Sequence, residues 1–126
     1  LTGFGDTELN RPAYDNLIQG YAGAMSITGK DKDNPVKSGI PIADLGAGLY
    51  AVIGILSAIQ SREKNDSGEH VDISMLDTQV SLLTYMATMH FLSGENPEPI
   101  GNQHMNHVPF NSYRTLDGFI QNRSGC

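Results

Sequence analysis

From Leu45 to Ile59 the chain carries no charged residue, and its apolar positions there fall on nearly every side of a helical projection rather than along one stripe. Such a helix belongs inside a protein. Pro41 has a backbone angle suited to a first helical turn, so the pattern predicts a helix from Pro41 to Gln60 in the middle of the domain. Gly46, Gly48 and Gly54 each cost it helix propensity, about 1 kcal/mol relative to alanine, which close approach of another backbone or a ligand would explain. Upstream, LTGFG reads as the end of a buried strand running into a glycine turn. RPAYDNLIQGYAGAMSITG then places Leu17, Ile18, Tyr21 and Met25 at helical spacing, with Pro12 near the start and Gly29 near the stop.

Downstream, KDKDNPVKSG and SREKNDSGE read as solvated connections. HVDISM alternates, putting Val71, Ile73 and Met75 on one side of a predicted strand. A helix is expected from about Asp77 to Phe91, and Ser74, three residues before Asp77, resembles the start of a capping box. SGENPEPIGNQHMNHVP is rich in Pro, Gly and Asn and reads as a crossing between structural units. FNSYRT-LDG-FIQN reads as a hairpin turning at Asp117-Gly118. Strands and helices in this order are the grammar of an α/β layer, yet too few strands are present for a complete sheet, which implies a piece of a larger protein. Leu1, with no charged leader or cleavage site behind it, fits that inference.

Composition narrows the chemistry. The 126 residues suffice for one hydrophobic core, and 14 acidic against 8 basic residues leave no basic surface for a nucleic acid backbone. The uncharged run is shorter than the roughly 20 residues of a membrane span and lacks flanking Lys or Arg clusters, so a core helix is expected and a membrane partner is not. One cysteine, Cys126, excludes an intrachain disulfide framework and a cysteine-based zinc cluster, consistent with a reducing compartment: the cytoplasm, or the mitochondrial matrix in a eukaryote. His70, His90, His104 and His107 lack metal-site spacing, and His90 reads as a core histidine. No GxSxG elbow or P-loop is present, and GFG and GAG fall short of the dinucleotide fingerprint.

Asp44 is the only charged residue from Gly39 to Gln60. At the first turn of a helix it meets free N–H groups and the positive end of the dipole, which favour a carboxylate. Two roles fit: a helix-terminal Asp with a structural job, or a nucleophile set among small residues against an apolar wall.

The linked segments TGFG, RPAYDNLIQGYAGAMSITG, PVKSGIPIADLGAGLYAVIGILSAI, REKNDSGEHVDISMLDTQVSLL and IGNQHMNHVPFNSYRTLDGFI resemble, in order and through Ile120, the class III CoA-transferase family, which includes the formyl-CoA, carnitine and succinyl-CoA dicarboxylate transferases. The resemblance implies an α/β fold: residues 1–93 as the C-terminal part of a Rossmann-like large domain, and 94–126 as linker and first hairpin of a small domain. It maps the family's catalytic Asp onto Asp44, whose carboxylate would attack an acyl-CoA thioester and pass through a mixed anhydride and an aspartyl-CoA thioester. That chemistry requires a carboxylate shielded from bulk water. It likewise implies coenzyme A contacts at Pro12, Ala13, Tyr14 and Asp15, with Arg11 a further candidate for a CoA phosphate.

The implied partners are an acyl-CoA donor and a carboxylic acid acceptor, with no metal, in an interlocked homodimer of the full-length protein. Related α-methylacyl-CoA racemases carry a His of an acid/base pair where this chain has Tyr14; a phenol is a poor base at neutral pH, which favours transfer over racemisation. The alternatives are such a racemase, or a truncated non-catalytic chain that only binds a partner. Met105 replaces the usual Pro of the family's GNxHP segment, where Gly101 and Asn102 read as a structural crossing, and QNRSGC departs from the family pattern.

Overall fold

A computed structural model describes residues 1–8 and 10–123; Cys126 and the last part of the divergent QNRSGC tail lie outside the described residues. Among the described residues, four helices, α1 (Asp15–Tyr21), α2 (Ile42–Asn65), α3 (Met75–Ser81) and α4 (Tyr85–Ser93), precede a hairpin of β1 (Phe110–Arg114) and β2 (Phe119–Arg123). Short 3-10 turns occupy Asp6–Glu8 and Ala24–Ile27. The fold is mixed α and β.

The core lies where α1 and α3 meet the N-terminal half of α2. Phe4, Ile18, Ala43, Ala47 and Met75 form it, with Ala13, Ile73 and Leu76 packed against them. Ala43, Gly46 and Ala47 give α2 a narrow buried seam, so neighbouring helices approach closely. A Cβ on Gly46 would stand 2.9 Å from Leu82 Cδ1, and one on Gly54 2.6 Å from Val71 Cγ1. These two glycines therefore admit side chains rather than another backbone. A Cβ on Gly48 would meet nothing within 4 Å.

Several sequence expectations are corrected. LTGFG and HVDISM form no strands of their own; they share one parallel bridge, Thr2 to Ser74. The Thr2 N–H donates to the Ile73 carbonyl (2.9 Å), and the Met75 N–H donates to the Thr2 carbonyl (2.9 Å). A strand extends only where a neighbour continues the ladder, and here Ser74 turns the chain into α3. The three residues expected on one side do point into the protein, Val71 and Ile73 packing toward Gly54 and Met75 buried, although Ser74 between them is buried as well. The helix expected through Met25 stops at Tyr21, because Gly23 adopts φ 81°. The helix expected from Asp77 to Phe91 is two helices, broken at Thr84 with φ 51°.

α2 runs to Asn65, beyond the predicted Gln60, and most of it is exposed rather than central, with Val52, Ile53 and Leu56 each more than half exposed. A helix apolar on every side needs neighbours on every side, and α1 and α3 cover only one. By length and composition α2 could also cross a membrane. His90 is half-buried, with Nδ1 3.2 Å from the Glu95 carbonyl.

Ser74 caps α3 as the sequence indicates, its Oγ accepting from the Asp77 N–H at 3.2 Å. Ser74→Ala is expected to cost about 1 kcal/mol, read from the urea midpoint. The hairpin also forms in the expected place, with Tyr113 opposite Ile120 and Arg114 opposite Phe119. The crossing segment is tied down by the Gly101 N–H donating to the Gly29 carbonyl (2.8 Å) and Asn102 Nδ2 donating to Ser112 Oγ (2.8 Å).

Candidate active site

Asp44 is the third residue of α2, following Pro41 at the cap position, Ile42 and Ala43. Its side chain is exposed. Among the described residues no group hydrogen-bonds the Asp44 carboxylate, so both oxygens remain available to an incoming electrophile. The nearest helix N–H groups and the dipole favour negative charge there. Gly48, one turn further on, lies on the same flank and leaves it open.

The helix start is capped from elsewhere in the chain. Pro41 has no side-chain acceptor, and Ile42 donates its N–H to the Ile40 carbonyl (2.8 Å). The Ala43 N–H donates to Asp15 Oδ1, 28 residues upstream, at 2.9 Å. Asp15 Oδ2 accepts from Gln19 Nε2 at 2.7 Å, and Gln19 Oε1 accepts from the Ser38 N–H at 2.8 Å. Asp15 and Gln19 stand one turn apart on α1, and Gln19 is buried at 1 % exposure.

This hydrogen-bond chain brings together the two segments singled out from sequence. Tyr14 precedes Asp15 and Asp44 follows Ala43, so the two residues flank the Asp15–Ala43 bond. Tyr14 is extended at the start of α1 and 72 % exposed. Pro12 is exposed, while Ala13 is half-buried against Gly3, leaving no room there for a Cβ.

Arg11 is engaged locally. Its guanidinium donates to Glu8 Oε2 at 2.8 Å and lies over the rings of Phe4 (3.9 Å) and Tyr21 (4.6 Å). The Glu8 carboxylate raises the Arg11 pKa above its ordinary value. With five N–H donors, the guanidinium retains capacity for a further anion.

A cavity of about 580 Å³ between the Gly23–Ile27 turn, α3, α4 and the Asn96–Pro99 loop does not include Asp44 in its lining. It is apolar, with Lys32 and Glu98 at its rim paired at 3.7 Å. A second cavity of about 690 Å³, lined by Thr28, Val36, Gly101 and Asn111, does not include Asp44 either; Asp44 lies on an open face. Gln19 carries little sign of this role in the sequence. Its signal was the i, i+4 pairing with Asp15, but the reach of both residues to Ser38 and Ala43 had none.

Comparison with known proteins agrees with the sequence resemblance. A family model described as CoA-transferase family III matches residues 1–122. The chain is 36 % identical over 122 residues to a succinate–glutarate CoA-transferase of Agrobacterium fabrum, covering 95 % of this chain and 30 % of that protein. It is 31 % identical to the human succinyl-CoA:glutarate CoA-transferase, covering 95 % of this chain and 28 % of that one. Among solved structures, a CaiB/BaiF family protein from Brucella suis superposes with a TM-score of 0.87 at 37 % identity, over 94 % of this chain and 32 % of that one. The chain thus spans about a third of the length of its relatives.

Proposed function

Since the chain belongs to CoA-transferase family III, we propose that it carries the nucleophilic segment of an enzyme that moves coenzyme A between carboxylic acids, with Asp44 as the covalent acceptor. The observation that carries this reading is the family match over residues 1–122, which includes IADLGAG and its Asp44. The availability of the Asp44 carboxylate, at a helix start that favours negative charge, supports the assignment.

In the proposed sequence an Asp44 oxygen attacks the thioester carbonyl of the donor. The C–S bond breaks, CoA leaves as thiolate, and an acyl-aspartyl anhydride forms. The thiolate then attacks the Asp44 carbonyl carbon, expelling the donor acid as carboxylate and leaving an aspartyl-CoA thioester. The acceptor carboxylate attacks that thioester and releases the thiolate again, giving a second anhydride. Attack of the thiolate on its acyl carbon yields the new acyl-CoA and restores the Asp44 carboxylate. Both anhydrides hydrolyse in bulk water, so the site must be dry during turnover.

In the described residues Asp44 is open, and we propose that its shield comes from the remaining two-thirds of a full-length family member. The same reading assigns residues 1–93 to a Rossmann-like large domain and 94–126 to the linker and small-domain start. α2 is read as a core helix, supported by its buried seam against α1 and α3. Homodimerisation is proposed as well, to be checked by light scattering on the full-length protein. Pro12, Ala13 and Tyr14 are proposed to line the CoA path, with Arg11 a candidate for a phosphate.

The test is mass spectrometry of a chain of the relatives' full length carrying these residues, incubated with succinyl-CoA and trapped with hydroxylamine. A hydroxamate on Asp44 is expected. Acyl exchange with Asp44 unmodified would sink the covalent reading, and exchange of the α-proton with deuterated water without acyl transfer would indicate an isomerase instead.

A further inference from the structure

We infer that Asp15 and Gln19 are positioning residues that fix the first turn of α2, and with it Asp44; the inference rests on the reading of Asp44 as the nucleophile. Asp15 belongs to the stretch whose resemblance implies CoA contact, but both of its carboxylate oxygens are engaged within the chain, one by the Ala43 N–H and one by Gln19 Nε2. Gln19 is closed to any ligand by burial.

The need for an outside clamp follows from the local sequence. A helix start leaves its first N–H groups without intrahelical partners, and a side chain at the cap position normally satisfies one of them. Pro41 at that position has no such side chain. Gly39, two residues earlier, further loosens the approach. Asp15 and Gln19 compensate from one face of α1: Asp15 holds the α2 turn at Ala43, and Gln19 holds the incoming loop at Ser38. The loop and the helix start are therefore fixed to the same pair of side chains. Asp44 is bonded directly to the residue so held. A displacement of about 1 Å at a reacting group can cost on the order of 100-fold in rate, so a frayed first turn should register in turnover.

Three variants in a chain of the relatives' full length test this. Asp15→Ala removes the acceptor for Ala43. Gln19→Met keeps the buried volume but removes the bonds to Asp15 and Ser38. Asp15→Asn retains a carbonyl oxygen for the Ala43 N–H. Asp15→Ala is expected to lower kcat by roughly 10- to 100-fold with the KM for acyl-CoA held within about threefold, and to slow hydroxamate formation on Asp44 in parallel. Gln19→Met is expected to lower kcat by several-fold with the same split, and Asp15→Asn to recover the part owed to the Ala43 bond while keeping a several-fold loss, because its amide NH2 faces the Gln19 Nε2 donor.

An Asp15→Ala loss confined to KM would mark Asp15 as a CoA contact and overturn the inference. So would a folded Gln19→Met protein with unchanged kcat and unchanged Asp44 labelling, a result that stays readable even if Asp15→Ala fails to fold. Absence of any Asp44 adduct in the unsubstituted protein would instead overturn the nucleophile assignment itself.

Discussion

With Asp44 in its proposed role as covalent nucleophile, Asp44→Ala and Asp44→Asn are expected to lower the proposed CoA transfer by about 10⁴-fold or more in a chain of the relatives' full length, since removing such a nucleophile eliminates the pathway rather than one of its stabilising contacts. Asp44→Glu keeps the carboxylate but displaces it by about one bond length, and should fall by about 100-fold. Stability should scarcely follow. Asp44 is exposed, so its substitution forfeits only the charge–dipole interaction of a first helical turn, about 0.3–1 kcal/mol. Steady-state transfer between two acids, measured beside urea denaturation of the same samples, separates the two effects. A folded Asp44→Ala protein that still transfers CoA at more than a tenth of the original rate would return Asp44 to the role of a helix-terminal residue.

Gly3→Ala should be among the most damaging single-methyl additions in the molecule. The new Cβ would overlap that of Ala13, and neither atom belongs to a flexible side chain that can swing away. Gly3 cannot retreat cheaply either. Its carbonyl accepts from the Leu76 N–H at 3.0 Å, beside the Thr2–Ser74 bridge that holds the chain start against α3. Overpacking of this kind typically costs about 1–3 kcal/mol, and with backbone on both sides the upper end is expected. The displaced Ala13 leads directly into Tyr14 and Asp15, so the proposed transfer activity, measured in a chain of the relatives' full length, should fall as well.

Gly48→Ala is the matched control. Its Cβ enters open space in a helix interior, and a gain of up to about 1 kcal/mol is expected. Urea midpoints that moved in the same direction for both variants would contradict this account of the two glycines.

The glycines of α2 illustrate how far sequence alone reaches. Their cost to the helix marked Gly46, Gly48 and Gly54 as unusual, but the explanation differs at each: Leu82 and Thr78 crowd Gly46, Val71 crowds Gly54, and Gly48 faces open space. Local composition records the penalty; only packing shows what it accommodates. Exposure of α2 has the same origin. Apolar residues all around a helix state that every side needs covering, while the covering elements are distant in sequence and α1 and α3 supply one side.

What the sequence determined by itself was whatever depends on neighbours within a few positions. Asp44 falls in the first turn of a long helix, Ser74 caps the next, and the hairpin turns at Asp117-Gly118, since capping, helical spacing and turn chemistry act over two to four residues. The ordered motifs through Ile120 identified the family on the same linear information. Tertiary structure alone decided that the strands expected at the two sides of Thr2 and Ser74 shrink to one bridge, and that an acid from the RPAYD stretch caps the helix bearing Asp44. Asp15 and Ala43 are separated by 28 positions, and no periodicity spans such a gap. Their meeting is fixed by the packing of α1 across the small-residue seam of α2, a long-range contact whose geometry exists only once the chain has folded.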